Sequence, residues 1–524
     1  MKSIFLILFL MGFLFPSNAQ SLEQRDKYLV YFHEKCTQHE FDPLRFFHPN
    51  AIERRLREGL PLADESDWPV CEHRSAEILS TGATIKMLSR WFNAAVVWAD
   101  MEELTAIQSL PVVASIEKLE KQSGEIAEVV AILDEEEQEL LANQVERMGS
   151  DVLESEGLNG KGIRVAIFDV GFSGADRNPA FDHLRASNRI VKTRDFVKNR
   201  DNVYQGGSHG TSVWSCIGGK VDGKWSGLAW DAEFLLARTE LAGREPFSEE
   251  ENWVAAAEWA DQHGADIINS SLGYTNKRYF PEQMNGKKSF ITRGANMAAR
   301  KGMLVVNAAG NEGSGSWRII SAPADADSVL AVGGLVPCCN YRIDFSSFGP
   351  TADKRMKPNV CAQGRVFCAA ENGNSSADGT SFASPLMAGF AACMWQKHRE
   401  LKCMELFREI ERAGHLHPYF DYAHGFGLPH PNRFKKEKSN PSIYTIEKDP
   451  TGKEILVRLI DSLAGIEKPE ILYYSFVRPN GVLESYYAIN VTENIPLRID
   501  AATLGNNRLR IHYRGQTEEI YLNK

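Results

Sequence analysis

The sequence predicts an α/β fold: a parallel sheet with helices on both faces, preceded by a small α+β unit and followed by a β-sandwich. Three observations carry this. From about residue 160 to 400, short apolar runs alternate with longer helical ones, the rhythm of parallel strands joined by crossover helices. Residues 82–119 repeat strand, helix and strand on a smaller scale. Beyond residue 440 the runs turn short and alternating, with turn pairs such as Asn480-Gly481 between them, which suits a small antiparallel sandwich.

Each element has its own signal. In the central region strands are expected at 164–169, 234–238, 266–271, 303–308 and 329–333, with helices near 210–218, 250–263, 289–301 and 381–397. In the first unit Trp91–Trp98 reads as a strand. Asp100-Met-Glu-Glu103 makes a capping box for a helix through Ser109, and Pro111–Glu117 reads as a second strand. Glu125–Leu141, with Asp134-Glu-Glu-Glu137, is a like-charge run expected to be solvated and flexible. Lys435–Asn440 is a polar break before the last unit, whose strands include Glu454–Leu459 and Arg508–Tyr513.

Length and composition bound the function. The 524 residues are 43% hydrophobic and 24% charged, enough for two to four domains at about 150 residues each. A formal charge of −10, with no basic stripe, excludes nucleic acid as the main partner. Met1–Phe15 is an apolar run behind Lys2, followed by Ser17-Asn-Ala19. This reads as a secretory signal peptide over 1–19, and the protein is expected outside the cytoplasm: extracellular, on the cell surface or in the periplasm. The run is shorter than the ~20 residues a membrane span needs, and no other stretch reads as a span. Of nine cysteines, Cys36 and Cys71 lie early, and Cys338, Cys339, Cys361 and Cys368 cluster later. Spacing permits a Cys361–Cys368 bridge without assigning it. No Cys-x-x-Cys pair occurs, which argues against structural zinc. Cys216 and Cys393 sit in apolar helical runs and read as inert core residues.

The chemistry lies in three separated segments. Gly379-Thr-Ser-Phe-Ala-Ser-Pro385 leads into the apolar run Leu386–Trp395. Ser381 is expected at the mouth of that helix, where unpaired N–H groups favour a developing anion, with Pro385 in the first turn. Arg164-Val-Ala-Ile-Phe-Asp169 puts an aspartate at the carboxyl end of a buried strand, and His209 opens a second apolar helix after Gly207. Singly, Asp169 could end a turn, His209 could cap a helix and Ser381 could be an N-cap. Together they offer nucleophile, base and orienting acid in the order Asp–His–Ser.

These segments resemble those of the subtilisin-like serine endopeptidases, the subtilases. The likeness extends to Asn307-Ala-Ala-Gly-Asn311-Glu-Gly313, Asn269-Ser-Ser-Leu-Gly273, Pro323-Ala324 through Val332-Gly333, and Phe345–Pro350, and covers roughly Asn143–Arg433. It implies Asp169, His209 and Ser381 as catalytic triad and Asn311 as oxyanion-hole donor. It implies Ser271, Leu272 and Gly273 facing Ala309 and Gly310 as the two walls that hold a peptide, with Glu312 near the floor of the pocket for the residue before the cut. The pattern departs from the family at Val170, Ser212 and Ala362-Gln363-Gly364, none of which handles a proton. The resemblance further implies a zymogen: an inhibitory propeptide over 20–125, an acidic linker with the maturation cut over 126–142, a catalytic domain over 143–435 and a C-terminal domain over 441–524. Lys27–Pro69, with Ala51–Arg57, resembles exported subtilases of Bacteroidetes-type bacteria. The partners implied are protein or peptide substrates and the protein's own propeptide. No cofactor is required; calcium stabilises loops in the family, but no ligand set is identified, and Asp176 and Asp201 read as solvated loop acids. The rival reading is a catalytically silent relative serving as an exported binding or adhesion protein.

Overall fold

The structure, a computed structural model, describes residues 25–35, 41–119, 134–243, 245–275, 278–435, 444–451, 453–459, 470–491 and 497–521. The expected signal peptide at 1–19 lies outside these residues, as does the linker up to residue 133.

The central sheet has seven strands. In spatial order they are Val360–Gln363, Val329–Leu335, Leu304–Ala308, Ile267–Ser270, Arg164–Asp169, Glu233–Arg238 and Ile190–Asp195. Every pairing is parallel. Arg164–Asp169 is buried at all positions, as a strand covered on both faces must be. Its side chains alternate between two cores. Val165 and Ile167 meet Val213 and Trp214 of the helix His209–Gly218 and Leu386 and Phe390 of the helix Thr380–Lys397. Ala166 and Phe168 meet Trp253 of the helix Ser248–Gln262 and Ile291 and Ala295 of the helix Phe290–Arg300. The two edge strands were not expected. Ile190–Asp195 carries Lys192 and Arg194 and is only partly buried, so it lacks the apolar run that marks the inner strands.

Chain order places the site. From Arg164–Asp169 the chain runs to the edge strand Ile190–Asp195, returns to fill the place between them with Glu233–Arg238, and then crosses to Ile267–Ser270 on the other side. Ligands bind beyond the carboxyl ends of strands at such a reversal, and here those ends carry Asp169 and Ser271.

The N-terminal unit is a four-stranded antiparallel sheet in the order Thr84–Ser89, Ala94–Ala99, Asp26–Phe32, Val113–Leu119. The second strand starts two residues later than the sequence suggested, because residues 110–113 close a turn after the helix Met101–Gln108. The reciprocal Asp100–Glu103 capping box is formed. Tyr28, Val30 and Val97 face the unit's own helices. Leu29, Ala94 and Val96 face the other way and join the core that holds Trp253 and Phe290. Charges line the same contact: Arg54, Arg55 and Arg90 converge on Asp261, the last two at 3.0 and 3.1 Å.

Two expectations need correction. The acidic run is not a solvated linker from residue 134 onward: Asp134–Glu146 is a helix. Leu140 and Leu141 are 5% and 0% exposed in the central core, and Gln144 donates to the Ser226 carbonyl at 2.6 Å. The charge count hid a helical apolar stripe of Leu140, Leu141 and Val145. Nor is there a Cys361–Cys368 bridge: both are free, buried thiols, as are Cys216 and Cys393. Cys361 instead lies 3.3 Å from the His424 carbonyl, and Cys368 lies 3.4 Å from the Ser375 carbonyl. Burial pushes both thiols up, Cys368 to about 12. Cys71 is disulfide-bonded.

After residue 443 a three-stranded and a four-stranded antiparallel sheet share one core of Ile455, Val457, Ile499, Leu472, Phe476, Leu509 and Ile511. This is the expected sandwich.

Candidate active site

Asp169 ends its strand with the carboxylate buried. It accepts from the Val170 backbone N–H at 2.8 Å and holds His209 Nδ1 at 2.9 and 3.0 Å through its two oxygens. His209 is the first residue of its helix, and Gly210 explains how it comes so close. A Cβ at Gly210 would lie 2.4 Å from the Gly171 carbonyl oxygen and 3.0 Å from Asp169 Cβ, so only glycine lets the helix end seat on the strand end. The imidazole stays about one-third exposed. Desolvation lowers its basicity, but the charge of Asp169 and the hydrogen bond to it outweigh this, and the net shift is above the ordinary histidine value.

Ser381 is the second residue of the helix Thr380–Lys397. That helix starts earlier than expected, so Pro385 falls in its second turn rather than its first. A proline there has no N–H to give the carbonyl four residues back, which is that of Ser381. The Ser271 hydroxyl takes that place, donating to the Ser381 carbonyl at 2.7 Å. In return the Ser381 hydroxyl donates to the Ser271 carbonyl at 3.2 Å. Phe382 lies with its ring 5.6 Å from that of His209, which brings the imidazole to the end of the helix that carries Ser381.

Asn311 is held by its oxygen. Oδ1 accepts from the Thr380 backbone N–H at 2.9 Å and from its hydroxyl at 2.8 Å. The amide nitrogen is left facing the other way. The space over Gly379 locates it: a Cβ there would lie 3.4 Å from Asn311 Nδ2 and 3.5 Å from Ser381 N. Two N–H donors thus flank one small volume beside the serine, the arrangement that receives a developing oxyanion. Gly379 has φ +152°, a region that favours glycine.

The two expected walls also come together. Cβ atoms at Gly273 and Gly310 would lie 2.2 and 3.0 Å from the Ser321 hydroxyl, so both walls meet over that buried serine. Asn307 donates to the Leu272 carbonyl at 3.0 Å and Ser384 donates to Asn269 Oδ1 at 2.8 Å. These buried amides fix the chain at Ser271–Gly273. Ala309 is buried. Glu312 is half-buried, with its carboxylate over the turn at Gly315. Thr380, Phe382, Asn269, Ser321 and Ser384 went unassigned in the sequence; only their proximity to the assigned blocks marked them.

Among the described residues no group of three His, Cys, Asp or Glu side chains is placed to hold a metal ion. Asp201 is paired with Arg194 at 3.1 Å and Asp176 lies 3.6 Å from Arg177. No helix among the described residues is long and apolar enough to cross a membrane.

Comparisons with known proteins place the chain by family. The model of the subtilase family matches residues 160–427, and that of the Bacteroidota peptidase S8 propeptide domain matches residues 27–129. The chain is similar to a subtilisin from Bacillus pumilus, 32% identical over 260 residues, covering 48% of this chain and 84% of that protein. It is also similar to subtilisin DY from Bacillus licheniformis, 29% identical over 278 residues, covering 53% and 92%. Alkaline elastase YaB from Bacillus sp. (strain YaB) is 29% identical over 299 residues, covering 57% and 68%. Since the first family model spans just over half of the chain, this protein belongs to the subtilase family, as a subtilisin-like serine endopeptidase carrying a Bacteroidota-type propeptide domain.

Proposed function

We propose that the chain is an exported zymogen whose mature form cuts peptide bonds through an acyl-enzyme on Ser381. The observation that carries this is the paired hold of Asp169 on His209 beside the helix end that presents Ser381. Asp169 fixes the tautomer with the proton on Nδ1, so Nε2 is free to act as base. A turn about the Ser381 χ1 moves the hydroxyl from the Ser271 carbonyl to that nitrogen. His209 then takes the hydroxyl proton as Oγ attacks the substrate carbonyl, and returns it to the leaving amine. Asn311 Nδ2 and Ser381 N–H receive the oxyanion. Substrate lies between Ser271–Gly273 and Ala309–Gly310 and pairs with them as an added strand. By the family resemblance Glu312 lies near the floor of the pocket for the residue before the cut, and that pocket tolerates lysine alongside apolar residues.

The N-terminal unit acts as intramolecular inhibitor until it is cut away. The cut falls before Leu140, because Leu140, Leu141 and Gln144 belong to the core of the mature domain. The apolar run at residues 3–15 directs export.

Intact mass of the secreted wild type beside Ser381→Ala tests the reading. The wild type is expected to lose its first ~100 or more residues and to cut casein, while the variant stays joined and inactive. If the purified wild type stays full length and fails to cut casein, the chain is a silent scaffold.

A further inference from the structure

Where the central domain meets the C-terminal sandwich there is an open cavity of about 380 Å³, lined by Arg147, Asn340, His415, Leu428, His430 and Arg433. None of these residues is acidic. His415 Nδ1 accepts the Leu428 backbone N–H at 2.9 Å, and His430 Nδ1 accepts that of Asn432 at 3.2 Å. A ring nitrogen that accepts carries no proton, so in each neutral ring the hydrogen sits on Nε2. His415 Nε2 and Arg433 Nη1 are both buried and meet no acceptor among the described residues. Buried donors left this way are costly and uncommon.

The cavity is also short of negative charge. Arg147 directs its terminal nitrogens to the carbonyls of Val336, Pro337 and Cys339 and to Asn340 Oδ1, all at 2.7–2.8 Å. It neutralises no carboxylate there and adds its charge to the cavity. Around His415, desolvation, then His512, Arg433, His424 and Arg147, together push the imidazole well below its ordinary range. The nearby carboxylates sit to the side: Asp421 is bound to His424 at 2.9 Å, and Asp151 acts on His430.

We propose that this cavity binds a tetrahedral oxyanion of the phosphate or sulfate class, held by the His415, His430 and Arg433 side chains that line it, whose donors turn toward the ion on binding, with Arg147 supplying further charge. Cationic and N–H donors converging from separate positions suit an anion that accepts several charge-assisted hydrogen bonds, as phosphate and sulfate do. The ion would also brace the domain junction. The loop that Arg147 fixes touches the sandwich, through Tyr473 Oη to the Asn340 carbonyl at 3.4 Å and through Tyr341 Oη to Asn490 at 2.8 Å.

The test uses the full chain carrying Ser381→Ala, so that self-cleavage does not interfere. Calorimetric titration with inorganic phosphate and with sodium sulfate is run against sodium chloride at matched ionic strength, beside thermal unfolding. A saturable heat and a rise in Tm are expected with an oxyanion and not with chloride. Arg433→Gln should weaken binding about tenfold, the value of one charge-assisted hydrogen bond. His430→Gln serves as a second variant if Arg433→Gln fails to fold. Vesicles of phosphatidic acid, co-sedimented with the chain, separate a lipid headgroup from a free ion: sedimentation that Arg433→Gln abolishes assigns the headgroup, and phosphate binding without sedimentation assigns the ion. Sulfate and phosphate also stabilise proteins generally, through exclusion from their surfaces. A Tm rise that never saturates and is the same in both variants, with no heat of binding, overturns the proposal.

Discussion

The carbonyl of Ser381 would lack a partner in its own helix, since Pro385 has no N–H to offer, and the Ser271 hydroxyl completes it. That exchange ties the backbone of the proposed nucleophile to one of the two proposed walls for substrate. The electrostatics of His209 can be tested directly. Its conjugate acid lies above the ordinary value of about 6.5, and the base form is the one required. Activity on a peptide substrate is therefore lost as pH falls through that raised value, and kcat/KM reaches its plateau only above it. Asp169→Asn should move the inflection down and lower kcat by about 10⁴. An inflection left in place by that change would show that Asp169 does not set it. Thr380 is a positioning residue, since it acts through Asn311. Asn311→Ala should cost about 10²–10³ in kcat, the loss known for the oxyanion-hole asparagine of subtilisin. Thr380→Val should cost about tenfold with KM unchanged, and should add little in the Asn311→Ala background. Full additivity in the double variant would remove Thr380 from that role.

At the scale of elements, the helix ends do the positioning, and glycines set how near they come. Gly210 seats the His209 helix against Asp169, and Gly379 opens the Ser381 helix at φ +152°. Gly379→Ala is expected to strain the backbone and to place a methyl group 3.4 Å from Asn311 Nδ2, in the volume meant for the oxyanion. We expect kcat to fall by at least about tenfold, with the far-ultraviolet spectrum unchanged. An active Gly379→Ala enzyme would mean that the oxyanion lies elsewhere. The central strands were legible because Arg164–Asp169 and its inner neighbours Glu233–Arg238 and Ile267–Ser270 each contain an apolar run. Ile190–Asp195 was not, because an edge strand with charges on its open side has no periodic apolar signal.

Across the whole molecule, the N-terminal unit and the central domain share one apolar core, and a charge cluster sits at its edge. Asp261 is fully buried; desolvation opposes its ionisation, yet Arg54, Arg55 and Arg90 hold it ionised, well below the usual carboxylate range. Asp261→Asn leaves three guanidiniums crowded in the contact, a loss of about 3–5 kcal/mol for breaking such a buried pair. In the full chain with Ser381→Ala, thermal unfolding of the N-terminal unit should come markedly earlier. An unchanged transition would mean that the apolar contact alone holds the two parts together.

The sequence by itself determined the family and the fold class, and it marked the residues of the candidate site in their order. Asp169, His209, Asn311 and Ser381 each stand in a segment whose local pattern, a buried strand end or an apolar helix start, depends on neighbours a few residues away. Local patterns of that kind survive in one dimension. The tertiary structure decided what depends on distant partners. Leu140 and Leu141 belong to the central core although they follow an acidic run, because helical spacing turns them inward. Cys361 and Cys368 stay apart because each thiol is set against a different backbone segment. Thr380 orients Asn311, and Ser271 completes Ser381, across gaps of 69 and 110 residues. No spacing rule reads such contacts, since they exist only once the sheet has brought its strand ends together.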